Sequence, residues 1–143
     1  MKTNTIELYI HIPFCKSKCR YCDFCSFRAE EETIHAYLGK LKEELIFWGK
    51  KLAARDVVTV FIGGGTPSYL RREDIQMICE TIFEHFHICE DAEITIEANP
   101  GTVDLKKLCT YRENGINRIS FGLQSTVKEE LEYLGRIHTY EEF

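Results

Sequence analysis

The chain has 143 residues, of which 44% are hydrophobic, 29% charged and 12% aromatic, a globular composition that excludes a disordered polymer. It holds no apolar run near the roughly 20 residues of a membrane span. Its 18 basic and 23 acidic residues leave a net charge of −5, so no nucleic-acid partner is expected.

In chain order, Leu8 to Ile12 reads as a strand that leads into a cysteine-bearing loop. Ile34, Tyr37, Leu38, Leu41, Leu45 and Trp48 recur at spacings of three and four, the stripe of an amphipathic helix, and Glu30-Glu31-Glu32 reads as its solvated start. Val57 to Ile62 is a second strand bounded by Gly63-Gly64-Gly65. A helix from Arg72 to Phe86 follows, with Ile75, Ile78, Cys79, Ile82 and Phe86 as its stripe. Ala92 to Ala98 alternates as a third strand and stops at Asn99-Pro100-Gly101. Asp104 is placed to cap a short helix carrying Leu105, Leu108 and Cys109, which ends at Asn114-Gly115. Ile116 to Phe121 is the fourth strand, and Thr126 with Glu129 forms a capping-box pattern for a helix ending at Leu134-Gly135.

Strands alternating with helices predict an α/β fold with a parallel sheet. A closed barrel of eight units in roughly 250 residues spends about 31 residues per βα unit. The chain is therefore expected to form a partial parallel (β/α) barrel of about four units. Thr139-Tyr140-Glu141-Glu142 is a further capping box, so residues 1–143 are expected to be the N-terminal part of a longer core domain.

Seven cysteines are many for such a domain. Cys79 and Cys109 fall on helix stripes and are expected in the core, and Cys89 is expected to be exposed. Cys15, Cys19, Cys22 and Cys25 crowd one loop. The N-terminal MKTNTIELYIHI has no signal-peptide pattern, so a metal site in a reducing, cytoplasmic setting is expected rather than a disulfide framework. Cys15-x-x-x-Cys19-x-x-Cys22 directly after a strand supplies three thiolates on a tight loop. That suits three irons of a [4Fe–4S] cluster, with the fourth iron left to an exogenous ligand. A zinc site using Cys25 is the rival, although structural zinc usually takes two separated cysteine pairs.

Other positions follow from strand parity and backbone freedom. The triple glycine admits close backbone approach to a ligand, or is simply a strand-to-helix turn. Tyr9 and His11 oppose Leu8, Ile10 and Ile12, and Thr95 and Glu97 oppose Ile94 and Ile96. Arg118 and Ser120 are expected to face the lumen, with Ile119 and Phe121 facing the helices. A carboxylate and a guanidinium directed inward need a ligand or each other, so a Glu97–Arg118 ion pair is the structural alternative. His85 and His87 are expected to sit at a helix end, where the dipole favours them.

Cys15-x-x-x-Cys19-x-Tyr21-Cys22 resembles the signature of the radical S-adenosylmethionine (SAM) superfamily. Tyr9-Ile-His11-Ile-Pro13-Phe14-Cys15 and Tyr21-Cys22-Asp23-Phe24 resemble its oxygen-independent coproporphyrinogen III oxidase family. The likeness continues through Gly63-Gly64-Gly65-Thr66-Pro67-Ser68, Glu97-Ala-Asn99-Pro100, Asn117-Arg118-Ile-Ser120-Phe-Gly122-Leu-Gln124-Ser125 and Leu134-Gly135-Arg136-Ile-His138. This resemblance implies a [4Fe–4S] cluster on Cys15, Cys19 and Cys22. It also implies SAM bound through Tyr9, Tyr21, Gly64, Gly65, Thr66, Glu97, Gln124 and Arg136, and an external electron donor. In such proteins electron transfer from the cluster breaks a carbon–sulfur bond of SAM and yields a 5′-deoxyadenosyl radical.

The family has two branches, an oxidase acting on a porphyrinogen and haem chaperones that resemble it. The oxidase pattern places a fourth cysteine two residues after the third ligand and carries an N-terminal extension. Here Phe24 stands at that position, the extra cysteine is Cys25, and the first strand begins near residue seven. The haem-chaperone branch is therefore the expected one, with haem as a further ligand of the full-length protein. The alternatives are a true oxidase and a non-catalytic fragment or zinc-binding module. The isolated chain is expected to show no porphyrinogen turnover.

Overall fold

Alternating isoleucine and valine residues build the sheet and select its covered face. The computed structural model describes residues 4–143, so the first three positions of the N-terminal pattern fall outside it. Four strands, β1 (Thr5–Ile12), β2 (Asp56–Gly64), β3 (His87–Ala98) and β4 (Arg118–Phe121), lie parallel in the order β1-β2-β3-β4. Helices α1 (Glu31–Lys51), α2 (Arg72–His85) and α3 (Leu105–Glu113) connect them, and α4 (Lys128–Leu134) follows β4. This is the predicted alternation: an open, four-stranded portion of a parallel barrel sheet.

The core lies between one sheet face and the helices. Ile10, Ile12, Val60, Ile62, Ile94 and Ile96 meet Leu38 and Leu45 of α1 and Ile75, Ile78, Cys79 and Ile82 of α2. Each fully buried aliphatic side chain contributes roughly 1.5–3 kcal/mol. Cys79 is core as expected, and burial pushes its thiol up to about 12. The α1 stripe ends differently from the prediction. Gly49, not Trp48, is buried, because a Cβ at Gly49 would lie 2.6 Å from His85 Cβ, where α1 backs onto the end of α2. Trp48 turns outward, edge-on to Phe47.

Several local readings are corrected. In α3, Tyr111 and Leu108 meet the core, whereas Leu105 and Cys109 are exposed, so Cys109 is not a core thiol. Asp104 does cap α3, accepting the Lys107 amide at 2.7 Å. Cys89 is half-buried rather than exposed. β3 begins at His87, earlier than expected, and His87 Nδ1 pairs with Asp56 Oδ1 at 2.7 Å, so a partner across the sheet, not a helix dipole, accounts for it. β4 starts later than expected because the Asn117 side chain takes over the ladder, with Oδ1 accepting the Ile94 amide and Nδ2 donating to the Ala92 carbonyl. The Thr126–Glu129 capping box does not form; Ser125 Oγ accepts the Val127 amide and donates to Glu130. At Thr139 the amide donates to Glu142 Oε2 at 2.8 Å, the return half of the expected capping box.

Opposite the core, the sheet presents rows of side chains set by register. Tyr9 pairs with Phe61, Phe61 with Thr95, and Thr95 with Arg118, so these positions form one row across all four strands. Nearer the strand ends, His11 pairs with Gly63 and Glu97 with Ser120. This open face and the loops at its C-terminal edge frame the site.

Candidate functional site

The cysteine loop is closed at its root by the chain itself. Phe14, fully buried, packs edge-on against Phe27 and Tyr37 at 5.7 and 5.2 Å. Cys15 N–H donates to the Phe27 carbonyl at 3.0 Å, and Phe27 N–H donates to the Pro13 carbonyl at 2.8 Å. Within the loop Lys18 Nζ donates to the carbonyls of Phe24 and Ser26, and His11 Nε2 bonds the Cys25 carbonyl at 3.0 Å. The far side docks on α4, where Arg20 N–H donates to the Leu134 carbonyl at 3.1 Å. Satisfying these loop carbonyls from within the chain fixes where the cysteine side chains project.

The glycine run extends the β1–β2 pairing into the loop. Gly65 and Thr66 amides donate to the Ile12 and Phe14 carbonyls, both at 2.8 Å. Gly64 has φ +118°, a region closed to side chains, and a Cβ there would lie 2.7 Å from the His11 ring. A Cβ at Gly65 would lie 2.9 Å from Cys15 Sγ. Glycine at both positions is thus required by close approach to β1 and the cysteine loop.

A cavity of about 360 Å³ at the C-terminal edge of the sheet is lined by Cys15, Cys19, Tyr21, Cys22, Gly64, Gly65, Thr66, Glu97, Gln124 and Arg136. Of the residues that the resemblance assigns to the cluster or to SAM, Tyr9 alone is outside this lining. It is 60% exposed, stacks on Phe61 and bonds His11 Nδ1 at 3.0 Å. Burial first, and then the Glu97 charge, raises its hydroxyl pKa. Burial is also the main influence raising that of Tyr21; the Arg136 guanidinium opposes it and Cys19 adds to it.

The Glu97–Arg118 pair, the structural alternative for these two residues, is absent among the described residues. Glu97 Oε2 accepts the Gly64 amide at 2.8 Å, while Arg118, half-exposed, pairs with Glu93 at 3.2 Å one row further from the mouth. Parity put both on the open face, but a neighbouring backbone donor and a nearer carboxylate divide them. Phe121 also departs from expectation: it is 39% exposed, lines the cavity and stands edge-on to Phe143.

Sequence reasoning missed Asn99 as a site residue, reading it as part of a turn and a motif. Its Nδ2 donates to Thr66 Oγ1 at 3.1 Å and its Oδ1 accepts Arg136 Nη2 at 2.8 Å, joining two lining residues from different loops. Arg136 also donates to the Gly122 carbonyl and, through Nη1, to Cys19 Sγ at 3.4 Å. Thr66 Oγ1 donates to Cys15 Sγ at 3.5 Å.

Against known proteins, the family model of the Radical SAM superfamily matches residues 9–143. The chain belongs to the radical SAM superfamily. Among radical SAM relatives, it is 44% identical over 139 residues to the heme chaperone HemW of Escherichia coli K12, covering 96% of this chain and 37% of that protein. It is 39% identical to the Bacillus subtilis 168 heme chaperone HemW, covering 91% and 35% of the two chains. Its structure matches the E. coli coproporphyrinogen III oxidase HemN, a radical SAM enzyme, with TM-score 0.91 and 33% identity over 98% of this chain and 32% of that one. The chain thus spans little more than a third of the curated relatives' length.

Radical SAM membership implies a [4Fe–4S] cluster and SAM, and the cavity's chemistry fits both. The two sulfurs with hydrogen-bond partners, Cys15 and Cys19, both accept, one from a hydroxyl and one from a guanidinium, which favours thiolate ligands. Cys15, Cys19 and Cys22 all line this one cavity, the three thiols that a cluster would take, one on each of three irons. When bound, cluster and SAM would supply an electron and a cleavable carbon–sulfur bond, and the residues lining the cavity are the ones that would hold and shield them.

Proposed function

We propose that this chain forms the cluster- and SAM-binding part of a haem-chaperone-like protein, with residues 1–143 as the N-terminal part of its core domain. The observation that carries the reading is the shared cavity: three thiols, the Gly64-Gly65-Thr66 backbone, Glu97, Gln124 and Arg136 line one space at the sheet mouth. Cys15, Cys19 and Cys22 hold three irons. Gly64 and Gly65 offer backbone groups to the amino acid end of SAM, and Arg136 offers its guanidinium to a carboxylate. Glu97, already bonded to Gly64 N–H, has its second carboxylate oxygen for polar groups of the cofactor. Tyr21 lines the pocket beside the cysteines, and Tyr9, outside the lining and stacked on Phe61, is the remaining residue assigned to SAM. Haem is the further ligand, and an electron donor is the further partner, in the protein that carries this segment.

The chaperone reading rests on similarity to the HemW proteins and on Phe24, two residues after Cys22, where the oxidase pattern has cysteine. Oxidative decarboxylation of coproporphyrinogen III is the competing activity. Haem titration of the reconstituted full-length protein, with a coproporphyrinogen decarboxylation assay beside it, separates them. Saturable stoichiometric haem binding without decarboxylation is expected; decarboxylation without haem binding would assign the oxidase activity instead. No helix among the described residues is long and apolar enough to cross a membrane; a cytoplasmic setting is part of the proposal.

A further inference from the structure

His138 closes the Leu-Gly-Arg-Ile-His motif, and its sequence context suggested no role. Only 5% exposed, it bonds the Leu123 carbonyl through Nε2 at 3.2 Å. Leu123 immediately precedes Gln124, whose φ of +72° makes it the one non-glycine residue in the left-handed region among the described residues. A glutamine there costs on the order of 1 kcal/mol and persists only if its surroundings hold it. The carbonyl that His138 grips belongs to the peptide bond entering that residue.

Behind the cysteine loop lies a second, small cavity of about 20 Å³, lined by Cys19, Thr66, Asn99, Thr102, Arg136 and His138 among others. That volume exceeds the roughly 10–15 Å³ needed for one water molecule. Two buried side-chain atoms of its lining residues, Arg136 Nε and His138 Nδ1, have no hydrogen-bond partner in the protein. The pair is chemically complementary through one water. Since a carbonyl only accepts, Nε2 must carry the imidazole proton, leaving Nδ1 as an acceptor, while Arg136 Nε–H can only donate. A water bonded to both would accept from Arg136 and donate to His138.

We infer that this cavity is a structural water site, and that His138 is a positioning residue which, through that water and the Leu123 carbonyl, holds Arg136 and Gln124 at the cofactor pocket. Burial first, and the Arg136 charge second, lowers the His138 pKa and keeps the imidazole neutral, as the arrangement needs. The unit reaches the pocket on two sides. Arg136 contacts Cys19 Sγ and Asn99, while Gln124 lines the pocket itself. The part of the inference that concerns SAM rests on the function proposed above.

Nitrogen-15 NMR of the cofactor-free full-length protein tests the site without any cofactor. The expected signature is an Nε2–H tautomer of His138, with an Nδ1 resonance shifted by an accepted hydrogen bond and a cross-relaxation peak to a long-lived water. An Nδ1–H tautomer, or no water signal at the site, would overturn the water assignment. The positioning role is tested on reconstituted full-length protein with His138→Gln and His138→Leu. Glutamine places an amide donor near the Nε2 position; leucine places none. SAM affinity is expected to fall roughly tenfold in the leucine variant and to stay within about threefold in the glutamine variant, at unchanged iron content. Equal affinity in all three proteins would overturn the role. Failure of the unsubstituted protein to bind SAM would instead overturn the proposed function, leaving the NMR result to decide the water site.

Discussion

Glu97 Oε2 accepts the Gly64 amide at 2.8 Å, tying the third strand's last carboxylate to the glycine run after the second. The bond explains why Glu97 is not the partner of Arg118 and why Gly63, whose added Cβ would lie 2.7 Å from the same oxygen, carries no side chain.

Substitution of Glu97 separates its two duties. Glu97→Ala leaves the Gly64 amide without its acceptor and is expected to destabilise the chain by about 1–3 kcal/mol. Glu97→Gln keeps a carbonyl oxygen for that amide and is expected to cost under about 1 kcal/mol, yet to weaken SAM binding through loss of charge. Denaturant unfolding and SAM titration of both variants check this; equal destabilisation by both would contradict the assigned bond.

Alanine at Gly64 is expected to destabilise by about 1–3 kcal/mol, since φ +118° is strained for any side chain and the Cβ meets the His11 ring. At Gly65 the added methyl presses on Cys15 Sγ and the Phe14 carbonyl, so the expected lesion is in cluster loading. Thermal melting of the apo chain and iron content after reconstitution distinguish them. A Gly65→Ala chain that loads iron normally would contradict the close packing described.

The four loop cysteines are expected to divide three to one. Cys15→Ala, Cys19→Ala and Cys22→Ala should each abolish stable cluster assembly, whereas Cys25→Ala should retain it, because Cys25 is exposed and lies outside the cavity lining. Iron and sulfide content of the four variants provides the check. Loss of metal in the Cys25 variant would favour the four-cysteine zinc alternative.

The pH dependence of stability follows from His138. Its pKa is lowered in the folded chain from an ordinary 6.5. Between the folded value and 6.5 the unfolded chain therefore binds more protons, and stability rises with pH. The contribution is complete above 6.5 and is lost as pH falls through 6.5 towards the folded value. Melting temperatures measured from pH 7.5 to 5 should show a steeper acid loss for the natural chain than for His138→Gln. Parallel curves would contradict a buried neutral imidazole.

Periodicity made the fold legible wherever a single face was buried. The Ile75–Ile78–Cys79–Ile82 stripe and the Ile94/Ile96 alternation both face the core, as their spacing predicts. It misled where packing was set by a neighbour rather than by hydrophobicity. Gly49 displaced Trp48 because α2 approaches closely, and Cys109 lost its place to Tyr111 because only one side of the short α3 meets α2. In the site, cysteine spacing and glycine runs were visible because the chemistry constrains residue type. Asn99 and His138 act instead through bonds to residues distant in sequence, Thr66, Arg136 and Leu123, which no local pattern encodes.

The central claim is that Cys15, Cys19 and Cys22 carry a cluster with one iron left for SAM. Anaerobic reconstitution with iron and sulfide, followed by metal counting and EPR of the reduced protein with and without SAM, tests it most directly. The account predicts about four irons per chain and a cluster signal that changes when SAM is added. Stoichiometric zinc with no iron uptake, or a cluster whose signal SAM leaves unchanged, would contradict it.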